Sequence, residues 1–161
     1  MDPIDQLLDF KFMSAAIELA KQAAKLKEVP IGAVVVLNQQ QLIGEGFNQP
    51  ISSNDPTAHA EMIAIRKAAK YLANYRLNEA TLYTTLEPCL MCAGLLINAR
   101  VKRLVFGTSR TNGCNTSALL TNLSSTNQSN HSVIISSGVL AAECSKLLTD
   151  FFQTKRGQQG G

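Results

Sequence analysis

The chain has 161 residues, 45% of them hydrophobic and 17% charged, with a formal net charge of +3 at pH 7. That length suits one domain with a full apolar core, and the composition excludes a disordered or membrane-embedded class. No apolar run approaches the ~18 residues that a membrane-spanning helix needs.

The first ten residues, MDPIDQLLDF, carry Asp2, Asp5 and Asp9 and no basic residue. A secretory leader has the reverse pattern. The expectation is a cytoplasmic protein with no membrane association, built as a single domain over 1–161 with a flexible tail from about 157. In a reducing compartment the four cysteines do not call for disulfides. Cys114 and Cys144 read as ordinary small apolar residues, whereas Cys89 and Cys92 are close enough to share a task. Charge is unevenly spread. From Pro88 to Ala142 there is no acid, while Arg100, Lys102, Arg103 and Arg110 give that span a charge of +4. Such a surface suits either solvent or phosphate.

In chain order, KFMSAAIELAKQAAKLK (11–27) spaces its apolar residues as a helix does. IGAVVVL (31–37) is a continuous β-branched run, hence a buried strand, and LIGEGF (42–47) pairs back on it through the NQQQ turn. A polar loop, NQPISSNDPT, leads to a helix over about 59–73, with Asp55 or Thr57 available as its cap. TLYTTL (81–86) is the third strand. Pro88 holds Glu87 extended and suits the start of the helix CLMCAGLLINA, which runs to about 99. VKRLVFG (101–107) and VIIS (133–136) are further strands. They are separated by a Ser/Thr/Asn-rich stretch in which ALLTNL forms at most a helical turn. A helix over about 138–154 closes the chain. The order α-β-β-α-β-α-β-β-α predicts an α/β fold, a mixed sheet with helices on both faces.

Two titratable residues, His59 and Glu61, sit at the start of one helix, and Cys89 and Cys92 at the start of another. Taken singly, each has an ordinary reading. The histidine can be a cap, the glutamate a partner for the helix dipole, and Cys-x-x-Cys a redox pair. Loops leaving the strands of an α/β sheet form a common crevice, so the two helix starts can meet there. One imidazole and two thiolates then suit a zinc ion, with the thiolate forms favoured at a helix N-terminus. Three protein ligands leave a fourth tetrahedral position for water, the mark of a catalytic zinc. Zn²⁺ with two thiolates and a neutral histidine has zero formal charge, so its water needs help in losing a proton. Glu61, two residues from the ligand, points away from it around the helix and is free to move that proton.

HAE at 59–61 followed by PCLMC at 88–92 resembles the zinc nucleobase deaminases, whose signature is His-x-Glu and then Pro-Cys-x-x-Cys. VPIGAVVV, GEGFNQPI, DPTAHAE, NYRL, ATLYTTLEPCLMCAG, RLVFG, NHSV and LLTDFF extend the resemblance to the tRNA-specific adenosine deaminase branch, over about 28–152. It implies a cytidine-deaminase-like three-layer α/β/α fold with a five-stranded mixed sheet, assembled as a homodimer. The implied activity is conversion of adenosine to inosine at the wobble position of a tRNA anticodon, with one zinc per chain. By position, His59, Cys89 and Cys92 are the zinc ligands and Glu61 the catalytic proton shuttle. Asn48 holds the flipped base through both the donor and the acceptor of its amide. Ala60 and the backbone around Leu86 and Glu87 line the pocket, with Glu87 a dipole partner for the helix that follows it. Phe151, Phe152, Lys155 and Arg156 meet the anticodon loop. GTSRTNGCNTS (107–117) departs from the family, placing Arg110 where an acid is usual. The alternatives are a deaminase of a free base such as guanine or cytosine, a non-catalytic zinc-bearing RNA-binding subunit, or a redox protein using Cys89 and Cys92.

Overall fold

The computed structural model describes residues 2–113, 115–125 and 130–159. Its helices are α1 (Pro3–Lys25), α2 (Pro50–Ser53), α3 (Ala60–Leu72), α4 (Leu90–Asn98), α5 (Thr116–Ser125) and α6 (Ala141–Gln159). Its strands are β1 (Gly32–Leu37), β2 (Gln41–Phe47), β3 (Ala80–Leu86), β4 (Arg103–Thr108) and β5 (Ile134–Ser137). The five strands form one mixed sheet in the order β2-β1-β3-β4-β5. β1 is antiparallel to β2 and β3, whereas β3, β4 and β5 run parallel.

Alternation along the strands divides the core in two. Val34, Val36, Tyr83 and Val105 point to one face and pack on Phe12, Met13, Ala16 and Ile17 of α1 and Cys144 of α6. Ala33, Val35, Leu82, Leu104 and Phe106 point to the other, against Ala60, Ala64, Ile65 and Ala68 of α3 and Ala93 and Leu96 of α4. The result is the expected α/β/α sandwich. β3, in the middle, is buried along its whole length. Small residues let α3 lie close over β2. A Cβ on Gly46 would stand 2.5 Å from the Ala60 carbonyl oxygen, so only glycine lets the first turn of α3 approach there.

The strand directions bring several exits to one edge. Leu86 pairs with Thr108, and the Glu87 N–H donates to the Thr108 carbonyl at 2.8 Å. Gly32, at the start of β1, pairs with Phe47, at the end of β2. The segments after β2, β3 and β4 therefore emerge side by side.

A polar knot ties the α1 layer to the sheet. Asp9 is buried, and its carboxylate accepts two hydrogen bonds from Arg103, both 2.7 Å, and one from the Tyr83 hydroxyl at 2.9 Å. Burial and the Asp9 carboxylate both push the Tyr83 hydroxyl pKa up, so it stays a donor.

Several boundaries differ from expectation. α1 starts at Pro3 because the Asp2 side chain accepts from the Ile4 N–H at 2.9 Å, a cap that reads in the sequence only as an acidic leader. Ile4, Leu7 and Leu8 already stand at helical spacing in the sequence, although Ile4 and Leu7 are exposed in the fold. The segment after Asn48 contains the short helix α2, and α5 is a full ten-residue helix rather than one turn. The tail expected to be loose from about 157 is helical through Gln159; residues 160–161 and Cys114 lie outside the described residues. No described helix is long and apolar enough to cross a membrane.

Replacing Asp9 with alanine strands the partly buried Arg103 without its carboxylate. It is expected to cost about 3 kcal/mol, read in urea unfolding as a lower midpoint with an unchanged slope.

Candidate metal centre and substrate cavity

His59 and Cys89 are the N-cap residues of α3 and α4, and neither side chain caps its helix. The expected caps Asp55 and Thr57 are also not used for α3. Asp55 instead accepts from the Thr57 N–H and hydroxyl, at 2.8 and 2.7 Å, which shapes the turn before His59. The capping function falls to Asn48, whose Oδ1 accepts from the Ala60 N–H at 2.9 Å. His59 is thereby released from the role that a residue at a helix start usually fills, and the Cys89 side chain likewise makes no cap bond.

The released side chains converge. Nδ1 of His59 lies 3.5 Å from the Cys89 sulfur and 3.7 Å from the Cys92 sulfur. Tetrahedral zinc with bonds of about 2.0 Å to nitrogen and 2.3 Å to sulfur has a nitrogen–sulfur edge of about 3.5 Å. Among the described residues, His59, Cys89 and Cys92 are the group of possible ligands whose donor atoms all lie within 4.8 Å of one another, and Glu61 is not part of it.

The charges point the same way. Hydrogen bonds from Cys92 and His59 pull the Cys89 thiol down to about 3, and the same interaction with Cys89, together with burial, pushes Cys92 up. His59 is pushed up, chiefly by its hydrogen bond to Cys89. A proton shared between the sulfurs stabilises one thiolate only. Both become thiolates when a cation replaces that proton. The donor set and its spacing fit zinc.

Glu61 is buried beside this group, and its carboxyl is pushed up above the usual range, first by burial and also by the Cys89 charge. It is therefore poised to hold a proton. Glu87 differs. Burial opposes its ionisation, but amide donors from Ser117 at 3.0 Å and Arg110 at 3.2 Å outweigh this and hold the carboxyl below the usual range. The helix it serves is α5, not the α4 of the sequence reading, because its side chain turns toward the start of α5.

A cavity of about 610 Å³ opens over His59. Its lining includes Val29, Ile31, Asn48, Leu86, Thr108, Ser109, Arg110, Leu148, Phe152 and Arg156. The Asn48 oxygen already accepts from the Ala60 N–H, which leaves its second lone pair and the amide donor for a ligand. Ala60 itself is wholly buried, and it reaches the site through its backbone N–H. Of the two aromatic residues, Phe152 borders the cavity, whereas Phe151 packs edge-on against it at 5.4 Å and lies 4.9 Å beneath Lys155. Leu148, Ser109 and Arg110 were not singled out as site residues from sequence. Only the register of β4 against β3, which aligns Thr108 with Leu86, brings that loop to the cavity.

Fold and cluster together define a metal-dependent deaminase of the nucleobase class. Residues 8–108 match the cytidine and deoxycytidylate deaminase zinc-binding region. The chain is 48% identical over 153 residues to the tRNA-specific adenosine deaminase of Haemophilus influenzae, covering 94% of this chain and 87% of that protein. A solved tRNA:A34 deaminase, studied for A-to-I editing at the wobble position of transfer RNA, superposes with a TM-score of 0.78. It is 38% identical, covering 86% of this chain and 99% of that one. The guanine deaminase of Bacillus subtilis is 43% identical with a TM-score of 0.60, over 63% of this chain and 64% of its own. The chain belongs to the tRNA-specific adenosine deaminase family.

Cys89→Ala is expected to abolish stoichiometric zinc in purified protein, measured by plasma mass spectrometry, and to lower the thermal midpoint. Full metal content in that variant would count against Cys89 as a ligand.

Proposed function

We propose that this chain hydrolyses adenosine to inosine and ammonia at the wobble position of a tRNA anticodon, using one zinc held by His59, Cys89 and Cys92. The observation that carries the reading is a buried carboxyl, Glu61, beside a three-donor metal group whose His59 lines a cavity together with the Asn48 amide. Zinc bound there supplies Lewis acidity and lowers the pKa of water.

The chain's own residues do the rest. Glu61, with a raised pKa and no metal to bind, accepts a proton from the attacking water and delivers it to a ring nitrogen. It then takes the second proton from the hydroxyl that has added to the base and passes it to the departing amine, so that one water enters and one ammonia leaves. Asn48 donates from its amide to an acceptor on the purine edge, and its orientation is fixed by the Ala60 N–H. Val29, Ile31 and Leu86 give the base an apolar enclosure that excludes competing water. Phe152 at the rim offers a face for stacking an unpaired base, and Arg156 a charge for the backbone. Phe151 supports Phe152 from behind.

The reading extends to a cytoplasmic homodimer formed by one deaminase domain per chain. The family resemblance supports it, and so do the apolar side chains of Ile51 and Leu90, which are exposed in the single chain. The second reading, deamination of free guanine, draws on the partial likeness to the Bacillus subtilis enzyme. The fuller coverage of the adenosine deaminases and the Phe152–Arg156 rim favour RNA. A non-catalytic subunit has no use for Glu61, and a dithiol redox pair has no use for His59 set between its sulfurs.

Incubation with an anticodon stem-loop, followed by sequencing, should show adenosine read as guanosine at the wobble position, with no comparable turnover of free guanine or cytosine. Glu61→Ala should retain its zinc and lose at least about 10²-fold in kcat. Undiminished turnover would remove the shuttle role.

A further inference from the structure

Arg110 stands two residues beyond the end of β4, and its position is fixed twice by Glu87. Its backbone N–H donates to the Glu87 carboxylate at 3.2 Å, and its Nε donates to the Glu87 carbonyl oxygen at 2.9 Å. These bonds hold the loop and the root of the guanidinium. Among the described residues no carboxylate forms an ion pair with it. The nearest acid in sequence, Glu87, spends its side chain on backbone amides and the Thr116 hydroxyl.

The location gives this charge a purpose. Arg110 borders the main cavity with His59, Asn48 and Arg156, and it also borders a smaller hollow of about 320 Å³ beside Cys89, Leu90 and Met91. It therefore forms part of the wall between the space over the metal ligands and the outer side of α4. A guanidinium anchored through Nε presents its two outer nitrogens as a fork that matches two phosphate oxygens. A nucleoside whose base enters the cavity carries its backbone at the rim, where this fork lies.

We infer that Arg110 binds a phosphodiester directly flanking the target nucleoside and so selects a nucleotide chain over a free base or nucleoside. The inference rests on the proposed RNA substrate. It adds to it a residue that touches the substrate from the loop where this sequence departs from its family.

The competing role is structural, with Arg110 doing no more than bracing the loop on Glu87. Lysine separates the two, because it keeps the charge and loses the Nε bond. Zinc-loaded wild type, Arg110→Lys and Arg110→Gln are compared for binding and turnover of an anticodon stem-loop over a range of salt. A set of stem-loops with one methylphosphonate at each linkage around the target adenosine completes the comparison. Arg110→Gln is expected to weaken binding about tenfold and to flatten the log–log salt slope by about 0.7, with kcat at saturation little changed. Arg110→Lys should keep the wild-type slope. One methylphosphonate flanking the target should weaken wild type and leave Arg110→Gln unaffected.

The inference is overturned if both variants change the slope equally, if neither changes it, or if every methylphosphonate penalises wild type and Arg110→Gln alike. Any of these with a wild type that deaminates the stem-loop sinks this inference alone. A wild type that neither binds nor deaminates the stem-loop sinks the proposed function with it.

Discussion

The chemistry of this molecule depends on one meeting of side chains. Nδ1 of His59 lies within 3.5 and 3.7 Å of two sulfurs that follow it by 30 and 33 residues. Nothing local produces that meeting. It follows from a strand order in which β1 separates β2 from β3, so that α3, entered after β2, and α4, entered after β3, lie on the same face of the sheet. The small side chains of α3 and the glycines of β2 bring the layers close enough for two helix starts to share a point in space. Metal affinity here is a property of the tertiary fold, because an unfolded chain has no such site to offer.

Around that point the polar groups divide the work by environment. The two carboxyls near the site are held on opposite sides of the usual range. Glu61 is buried from water beside an anionic sulfur, and both favour its protonated form. Glu87 faces backbone amides, which favour its charged form. One can exchange protons during a reaction, and the other is a fixed anion that organises a loop. Asn48 shows the same economy of structure: its oxygen secures the first turn of α3, and its nitrogen remains for a ligand.

Much of this was legible in the sequence, for identifiable reasons. The β-branched runs of β1 and β3 have no competing periodicity, and they are the strands buried most completely. The spacing of Cys89 and Cys92 over a single helical turn, with Pro88 before them, limits the local geometry enough to suggest a metal. Where the reading fell short, a long-range partner decided the outcome. Asp55 looked like the cap of α3, but Asn48 reaches that position from another segment. Glu87 was assigned to the nearest helix in sequence, while the folded chain directs it to α5, some thirty residues on. The first turns of α1 do carry Ile4, Leu7 and Leu8 at helical spacing, but Asp2, Asp5 and Asp9 among them gave the segment the look of a polar leader. Pattern reveals elements that bury a face, and it is silent about side chains that serve a distant segment.

The double engagement of Glu87 has a wider consequence. Its side chain carries the β4–α5 loop, and its main chain leads through one proline into Cys89, the first sulfur of the candidate metal group. The wall of the cavity and the cradle of the metal thus hang from a single residue. A change that loosens this loop therefore also loosens the approach to Cys89, so the shape of the cavity wall and the placing of the first sulfur are mechanically coupled.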